Sequence, residues 1–306
     1  MTLSSEALEG LQTMEYAPRR ERGLVRDALR RVWGNRGAKA GLAIILFFII
    51  VGYVIAPLFF PYNPRTDRDL SGRLGPPTRE HPFGTDELGR DVLTRIAHGT
   101  RISFTVGLFA VLFAVTVGTV LGLTSGYWGG PLETVVMRSM DVVLAFPALL
   151  LAIAIVAMRG PGLNNTMFAL GITYIPIYAR LARSSVMGIK ELDYITAATA
   201  VGVPSPRILV RHVLPNALSP LIVQFTLMIA TAIIETAALG FLGLGAQPPS
   251  PEWGAMLSNG YKFLTVGAWW ALLFPGLAII FVVTGFNLVG DGLRDALDPR
   301  LRRVGG

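Results

Sequence analysis

Five stretches of this 306-residue chain contain no Asp, Glu, Lys or Arg: residues 40–60, 102–132, 142–158, 160–179 and 263–290. A helix needs about 20 apolar residues to cross a hydrocarbon core roughly 30 Å thick, and only a backbone that satisfies its own hydrogen bonds is tolerated there. The runs therefore predict membrane-spanning helices. Charged residues make up 15% of the chain, against about 25% in ordinary soluble domains.

The expected spans are Gly41 to Phe60, Ile102 to about Gly126, Val142 to Met158, Asn165 to Ala179 or on to Val186, Leu218 to Leu244, and about Ala268 to Gly290. The fifth is apolar apart from Gln224 and Glu235. This is an all-α integral membrane fold with about six spans. In the second span Gly118, Gly122 and Gly126 recur every four residues, which puts three bare patches on one face for close helix packing.

An even number of spans puts both termini on one side, where 18 Lys and Arg fall against nine on the other. The positive-inside rule makes that side cytoplasmic. The expected organisation is a cytoplasmic tail over 1–40, a first span over 41–60, an extracytoplasmic loop over 61–101, a core over 102–290 with a cytoplasmic loop at 190–218, and a second cytoplasmic tail over 291–306. The first apolar run begins too late and is too long for a cleavable signal peptide. Arg19 to Arg36 is basic and contains Val32 and Trp33; it reads as a topology signal or as a helix lying on the inner membrane surface.

No sequence fits the Gly-x4-Gly-Lys-Ser/Thr phosphate loop, so the chain is not expected to hydrolyse ATP itself. Its three histidines, His81, His98 and His212, are scattered and there is no cysteine. Neither a metal site nor a nucleophilic triad is expected, and no cofactor.

The 190–218 loop is too well patterned for a connector. Asp193 suits an N-cap, Ala197, Ala198 and Ala200 favour helix, and Gly202 followed by Pro204 stops it, giving a helix about nine residues and 13 Å long. A second short helix is expected from Pro206, carrying Arg207 and Arg211, with Pro215 breaking the chain before the fifth span. Ala197-Ala198, then Gly202, then Leu214-Pro215 beginning twelve residues on, resembles the coupling motif of ABC importer permeases. Thr196 stands where that family usually has Glu, and His212 where it usually has Ile. The resemblance implies that this loop docks on an ATPase subunit through Asp193, Tyr194, Ala197, Ala198, Gly202, Arg211, Leu214 and Pro215.

Two further blocks narrow the resemblance. His81-Pro82-Phe83-Gly84-Thr85-Asp86-Glu87-Leu88-Gly89-Arg90-Asp91-Val92-Leu93 and Phe241-Leu242-Gly243-Leu244-Gly245-Ala246-Gln247-Pro248-Pro249 followed two residues later by Glu252-Trp253-Gly254 are similar to stretches of the dipeptide/oligopeptide/nickel permeases, and the tail from Gly290 to Arg300 is similar to that of their shorter-loop partner. This implies an importer of bacterial or archaeal cytoplasmic membranes, embedded in lipid, built from this chain, a second similar permease, two ATP-binding subunits and an external solute-binding protein, with no role for nucleic acid. Peptides are the substrate that the resemblance implies; a nickel chelate, glutathione and oligosaccharides are the alternatives within it. A proton-coupled secondary transporter using Glu235 and Asp141 would leave the alanine-glycine loop unexplained.

Two sites carry charge into this frame. The 81–101 block reads either as a lid where the binding protein docks, through Asp86, Arg90 and Asp91, or as a self-paired cap with Asp91 and Arg95 as an i,i+4 pair. Glu235, with Gln224 on the same span, is costly within the bilayer; it contacts substrate or bonds to a neighbouring helix. Asp141 is expected to pair with Arg138. Single cysteines introduced as Gly10→Cys, Gly160→Cys and Arg300→Cys test the topology in this cysteine-free chain. Only the thiol at 160 should react with an impermeant maleimide outside intact cells, and reaction at 300 would overturn the orientation.

Overall fold

The computed structural model describes residues 32–60, 63 and 67–297. The expected surface helix over Arg19 to Arg36 falls mostly outside them. Among the described residues the chain is helical, with a single isolated bridge between Thr85 and Asp91. The helices are α1 (Arg36–Phe59), α2 (Val92–Trp128), α3 (Gly130–Leu144), α4 (Ala148–Arg159), α5 (Leu163–Lys190), α6 (Asp193–Ala200), α7 (Ser205–Phe241), α8 (Trp253–Lys262) and α9 (Trp270–Leu297).

Short polar side chains start several of them. Asn35 caps α1 by accepting from the Ala38 N–H at 3.1 Å, and Asp91 caps α2 by accepting from Thr94 N–H at 2.7 Å. These bonds satisfy donors that a helix end cannot pair within itself.

Four helices, α1, α2, α7 and α9, are long and apolar enough to cross a membrane, or five units if the bent pair α3–α4 is one span. Six were expected, and two features account for the difference. The third run is broken at Phe146-Pro147, where α3 and α4 meet at 89°; proline pushes the residue before it out of helical geometry. The 12 residues of α4 reach about 18 Å, too short to cross alone. The fourth run is the helix α5, but it is mixed in composition, with Arg180, Arg183 and Lys190 in its second half. A helix largely walled by other helices does not need the apolar surface that lipid demands.

The glycine stripe of α2 is the seam on which α5 lies, and among the described residues no other pair of helices packs more extensively. A Cβ at Gly118 would come within 2.6 Å of the Ile175 carbonyl oxygen and of Tyr178 Cβ, and one at Gly122 within 2.2 Å of the Ala179 carbonyl. Backbone therefore rests on backbone, with Ala179, Ala182 and Val186 buried opposite. α1 meets α9 in a similar way, Gly41 against Gly285 and Leu288.

α7 departs from expectation. It runs unbroken from Ser205 to Phe241, through Pro215 and Pro220, because the turn over Leu209–Val213 is wound as a π-helix. The wider turn changes the hydrogen-bond register just before Pro215, which has no N–H to offer. Pro215 thus sits in a continuous helix and does not end one.

Gly122→Ala must displace backbone in the α2–α5 seam, which should cost about 1–3 kcal/mol and lower the yield and melting temperature of the purified chain. Gly188→Ala, also in α5 but with nothing within 4 Å of its Cβ, should be neutral or stabilising by up to about 1 kcal/mol. Thermal unfolding of both variants in detergent checks the contrast.

Candidate functional site

The segment between α1 and α2 folds as a self-paired cap. Asp86 accepts from the N–H groups of Leu88 and Arg90 at 2.8 and 3.0 Å and meets Arg90 Nε at 2.7 Å and Arg95 Nε at 3.3 Å. All three side chains are buried. Glu87 joins Arg90 at 3.3 Å and accepts from Asn259 of α8 at 3.2 Å, which ties the cap to the rest of the chain. The expected i,i+4 partner of Asp91 was Arg95, but Asp91 caps α2 and meets His81 Nδ1 at 3.1 Å, while Arg95 turns to Asp86. An N-cap side chain folds over the N–H groups of the first turn, which directs it away from the residue four positions on.

The alanine-glycine loop contains α6, with its inward face held by the buried Ile195. Asp193, Tyr194 and Ala197 are exposed and Ala198 is half-buried. Leu192, not Asp193, holds the N-cap position, and it makes no side-chain cap bond; Asp193 lies in the first turn, where a negative charge still favours the helix. The stop is as expected. Gly202 takes φ +81°, its N–H bonds Thr199 O at 3.0 Å, and Val203 N–H bonds Ala198 O at 3.1 Å, the paired bonds of a Schellman ending. A Cβ at Gly202 would meet nothing within 4 Å, so the glycine is required for its backbone angle.

α6 is also tied to α7. Asn216 donates to the Tyr194 hydroxyl at 3.1 Å and to the His212 carbonyl at 2.7 Å, and the Tyr194 and His212 rings lie 6.4 Å apart. Arg211 and Pro215 are exposed beside them, with Leu214 half-buried. The loop and the helix carrying Gln224 and Glu235 therefore form one connected unit.

Glu235 is half-buried and accepts a hydrogen bond from the Tyr174 hydroxyl of α5 at 2.7 Å. Gln224 lines a separate polar cleft of about 1050 Å³ between α3, α5 and α7. Its walls bring together residues distant in sequence: Arg183 donates to Glu133 at 2.6 Å through Nε, and Arg180 reaches Asp141 at 2.6 Å. Asp141 was expected to pair with Arg138, which lies 3.8 Å away; Arg180 is the tighter partner. Charged side chains open to this degree cannot face lipid tails without a penalty of several kcal/mol, so this face is turned away from the hydrocarbon.

Three features of these sites were not legible in the sequence. The Arg180–Asp141 and Arg183–Glu133 pairs join helices about 40 to 50 residues apart, a distance no local spacing reports. Glu252 stood within a noted block without a role. It is 1% exposed, caps α8 through the N–H groups of Gly254 and Ala255 at 2.8 Å each, and lies against Gly240 near the end of α7. Burial pushes its carboxyl up to about 7, against the opposing pull of those two N–H bonds. An acid followed by Trp-Gly at a helix start was the available signal. Among the described residues no three His, Cys, Asp or Glu gather as a metal site.

Residues 118–303 match the family described as binding-protein-dependent transport system inner membrane component, and residues 23–77 match the N-terminal TM domain of oligopeptide transport permease C. The chain belongs to this family of inner membrane transport components. It is 50% identical over 277 residues to the dipeptide transport system permease protein DppC of Alkalihalophilus pseudofirmus, covering 90% of each chain. It is 44% identical to the di/tripeptide transport system permease protein DppC of Pseudomonas aeruginosa, over 96% of this chain and 100% of the relative. The glutathione transport system permease protein GsiD of Pectobacterium atrosepticum is 45% identical over 86% of each. Among solved structures, an inward-facing form of the MetNI methionine ABC transporter matches with TM-score 0.54 at 19% identity, covering 67% of this chain and 96% of the other. The all-helical fold is thus that of an ABC importer permease.

Glu252 sets a pH dependence. Its folded value of about 7 stands above the usual 4.5, so the folded state holds its proton more tightly than the unfolded chain does. The stability of the α7–α8 corner should be greatest below about pH 4.5, fall as the pH rises through 7, and then level off, by on the order of 3 kcal/mol in all. Thermal unfolding at pH 5 and pH 8 should show the decline, and Glu252→Gln should flatten it.

Proposed function

We propose that this chain is one of two membrane subunits of an ATP-driven importer that carries short peptides delivered by an external binding protein. The observation that carries the reading is the 50% identity, over nine-tenths of both chains, to a permease named for dipeptide transport. The relative named for glutathione keeps that small peptide as a second substrate.

In this reading the complex contains a second permease, two ATP-binding subunits that perform hydrolysis, and the binding protein. It sits in the cytoplasmic membrane with both termini of this chain inside, as the distribution of Lys and Arg favours. α6 is the contact to an ATPase. Its exposed Asp193, Tyr194 and Ala197, the half-buried Ala198, the Gly202 turn and the neighbouring Arg211, Leu214 and Pro215 form its docking face. The cap built on Asp86, Arg90 and Asp91 supports the outer surface that meets the binding protein. Closure of the ATPases moves α6, and α7, joined to it through Asn216, carries the motion to the face bearing Gln224 and Glu235. Glu235 receives the ammonium end of a peptide, with Tyr174 holding the carboxylate in place.

Gly202→Arg tests the coupling. Any non-glycine residue at φ +81° costs about 1 kcal/mol or more, and the long side chain occupies space through which a partner must approach. The variant should insert in the membrane normally yet release the ATPase or hydrolyse ATP without transport. Ala198→Asp should act in the same direction by burying a charge at the contact. Purification of the complex, with uptake and hydrolysis measured in parallel, checks both. Normal uptake with full ATPase retention in Gly202→Arg would remove the loop from the mechanism.

A further inference from the structure

Charge is unbalanced along the polar face of the bundle, and in opposite senses at two levels. The cleft holds Arg138, Arg180 and Arg183 against Glu133 and Asp141, one positive charge in excess. Arg138 and Arg180 both lean on Asp141, and their side chains are 81% and 52% exposed. Arg180 donates one hydrogen bond to that carboxylate out of the five its fork can make. Glu235, by contrast, is bonded to a neutral hydroxyl, and among the described residues no Lys or Arg forms an ion pair with it, which leaves one negative charge in excess. Gln224 at the cleft and Glu235 lie eleven residues apart on α7, about three turns and ~16 Å, and so share one face.

Uncompensated charge inside a membrane bundle is costly unless water or a counter-charge meets it. A molecule with one ammonium and one carboxylate supplies both counter-charges. We propose that the α3–α5–α7 cleft is a binding station for the C-terminal carboxylate of a peptide in transit, with Arg180 as the principal donor. The station rests on the peptide-importer reading above. It makes passage directional, the carboxylate leading toward the α6 end and the ammonium trailing at Glu235. An extended chain advances at most ~3.3–3.6 Å per residue, so a dipeptide or tripeptide occupies the two levels in succession, whereas about four or five residues bridge them.

The cysteine-free sequence allows a direct test on the assembled transporter. Ser184→Cys places a thiol in the cleft, and Thr231→Cys places one on the exposed side of α7 one turn from Glu235. Each is reacted with anionic 2-sulfonatoethyl and cationic 2-(trimethylammonium)ethyl methanethiosulfonate, and modification of this chain is followed by mass. The anionic-to-cationic rate ratio should be about tenfold higher at 184 than at 231, the size of effect expected for opposite local potentials. Arg180→Gln should lower the ratio at 184 and leave it unchanged at 231, which also reports an intact fold; Glu235→Gln should raise it at 231. A dipeptide with a free carboxylate should slow modification at 184, its C-terminal amide should not, and Arg180→Lys should retain the protection. Equal ratios at the two positions, protection by acid and amide alike, or protection by neither overturns the station. Uptake by the reconstituted transporter with its binding protein tests the importer reading separately. A complex that takes up peptides but shows no carboxylate-dependent protection sinks the station alone.

Discussion

Direct backbone contact between α2 and α5 sets the spacing for everything else in the bundle. At Gly118 and Gly122 there is no room even for a methyl group before the carbonyls of Ile175 and Ala179. In a bilayer, lipid tails are as apolar as leucine, so helices adhere through close packing and not through removal of apolar surface from water. The seam draws α5 in so tightly that it becomes an interior helix of the core. That position permits its mixed composition, and it brings Tyr174 to Glu235 and Arg180 and Arg183 to the acids of α3.

α7 gives the bundle its long-range connection. It begins beside α6 and passes through a π turn and two prolines without interruption. The Tyr194–Asn216 bond and the His212 ring fasten α6 to the segment that holds the π turn.

Charge is managed differently at the two ends of the molecule. In the cap, Asp86, Arg90 and Arg95 are buried together and each charge is answered locally, which rigidifies the surface over the helix ends. On the α3–α5–α7 face the charges are exposed and incompletely answered. The first arrangement suits a scaffold. The second suits a surface that exchanges partners, because donors left unused by the protein are available to a passing ligand.

Much of this was determined by the sequence alone. Charge-free runs located α1, α2 and α9, and a run apolar but for Gln224 and Glu235 located the membrane-crossing part of α7, since the bilayer imposes length and composition residue by residue. The four-residue glycine repeat announced a packing seam, and Gly202 announced the end of α6, because both are local backbone requirements that one residue type satisfies best. Tertiary structure decided the rest. Whether a third run crosses or bends at Pro147, whether Pro215 ends a helix or is absorbed by a π turn, and which arginine Asp141 and Asp86 select all depend on neighbours brought close by packing. The Glu235–Tyr174 bond joins residues 61 apart. Sequence reported that an acid in a span must find a polar neighbour; only the seam between α2 and α5 fixed which one stands within 2.7 Å.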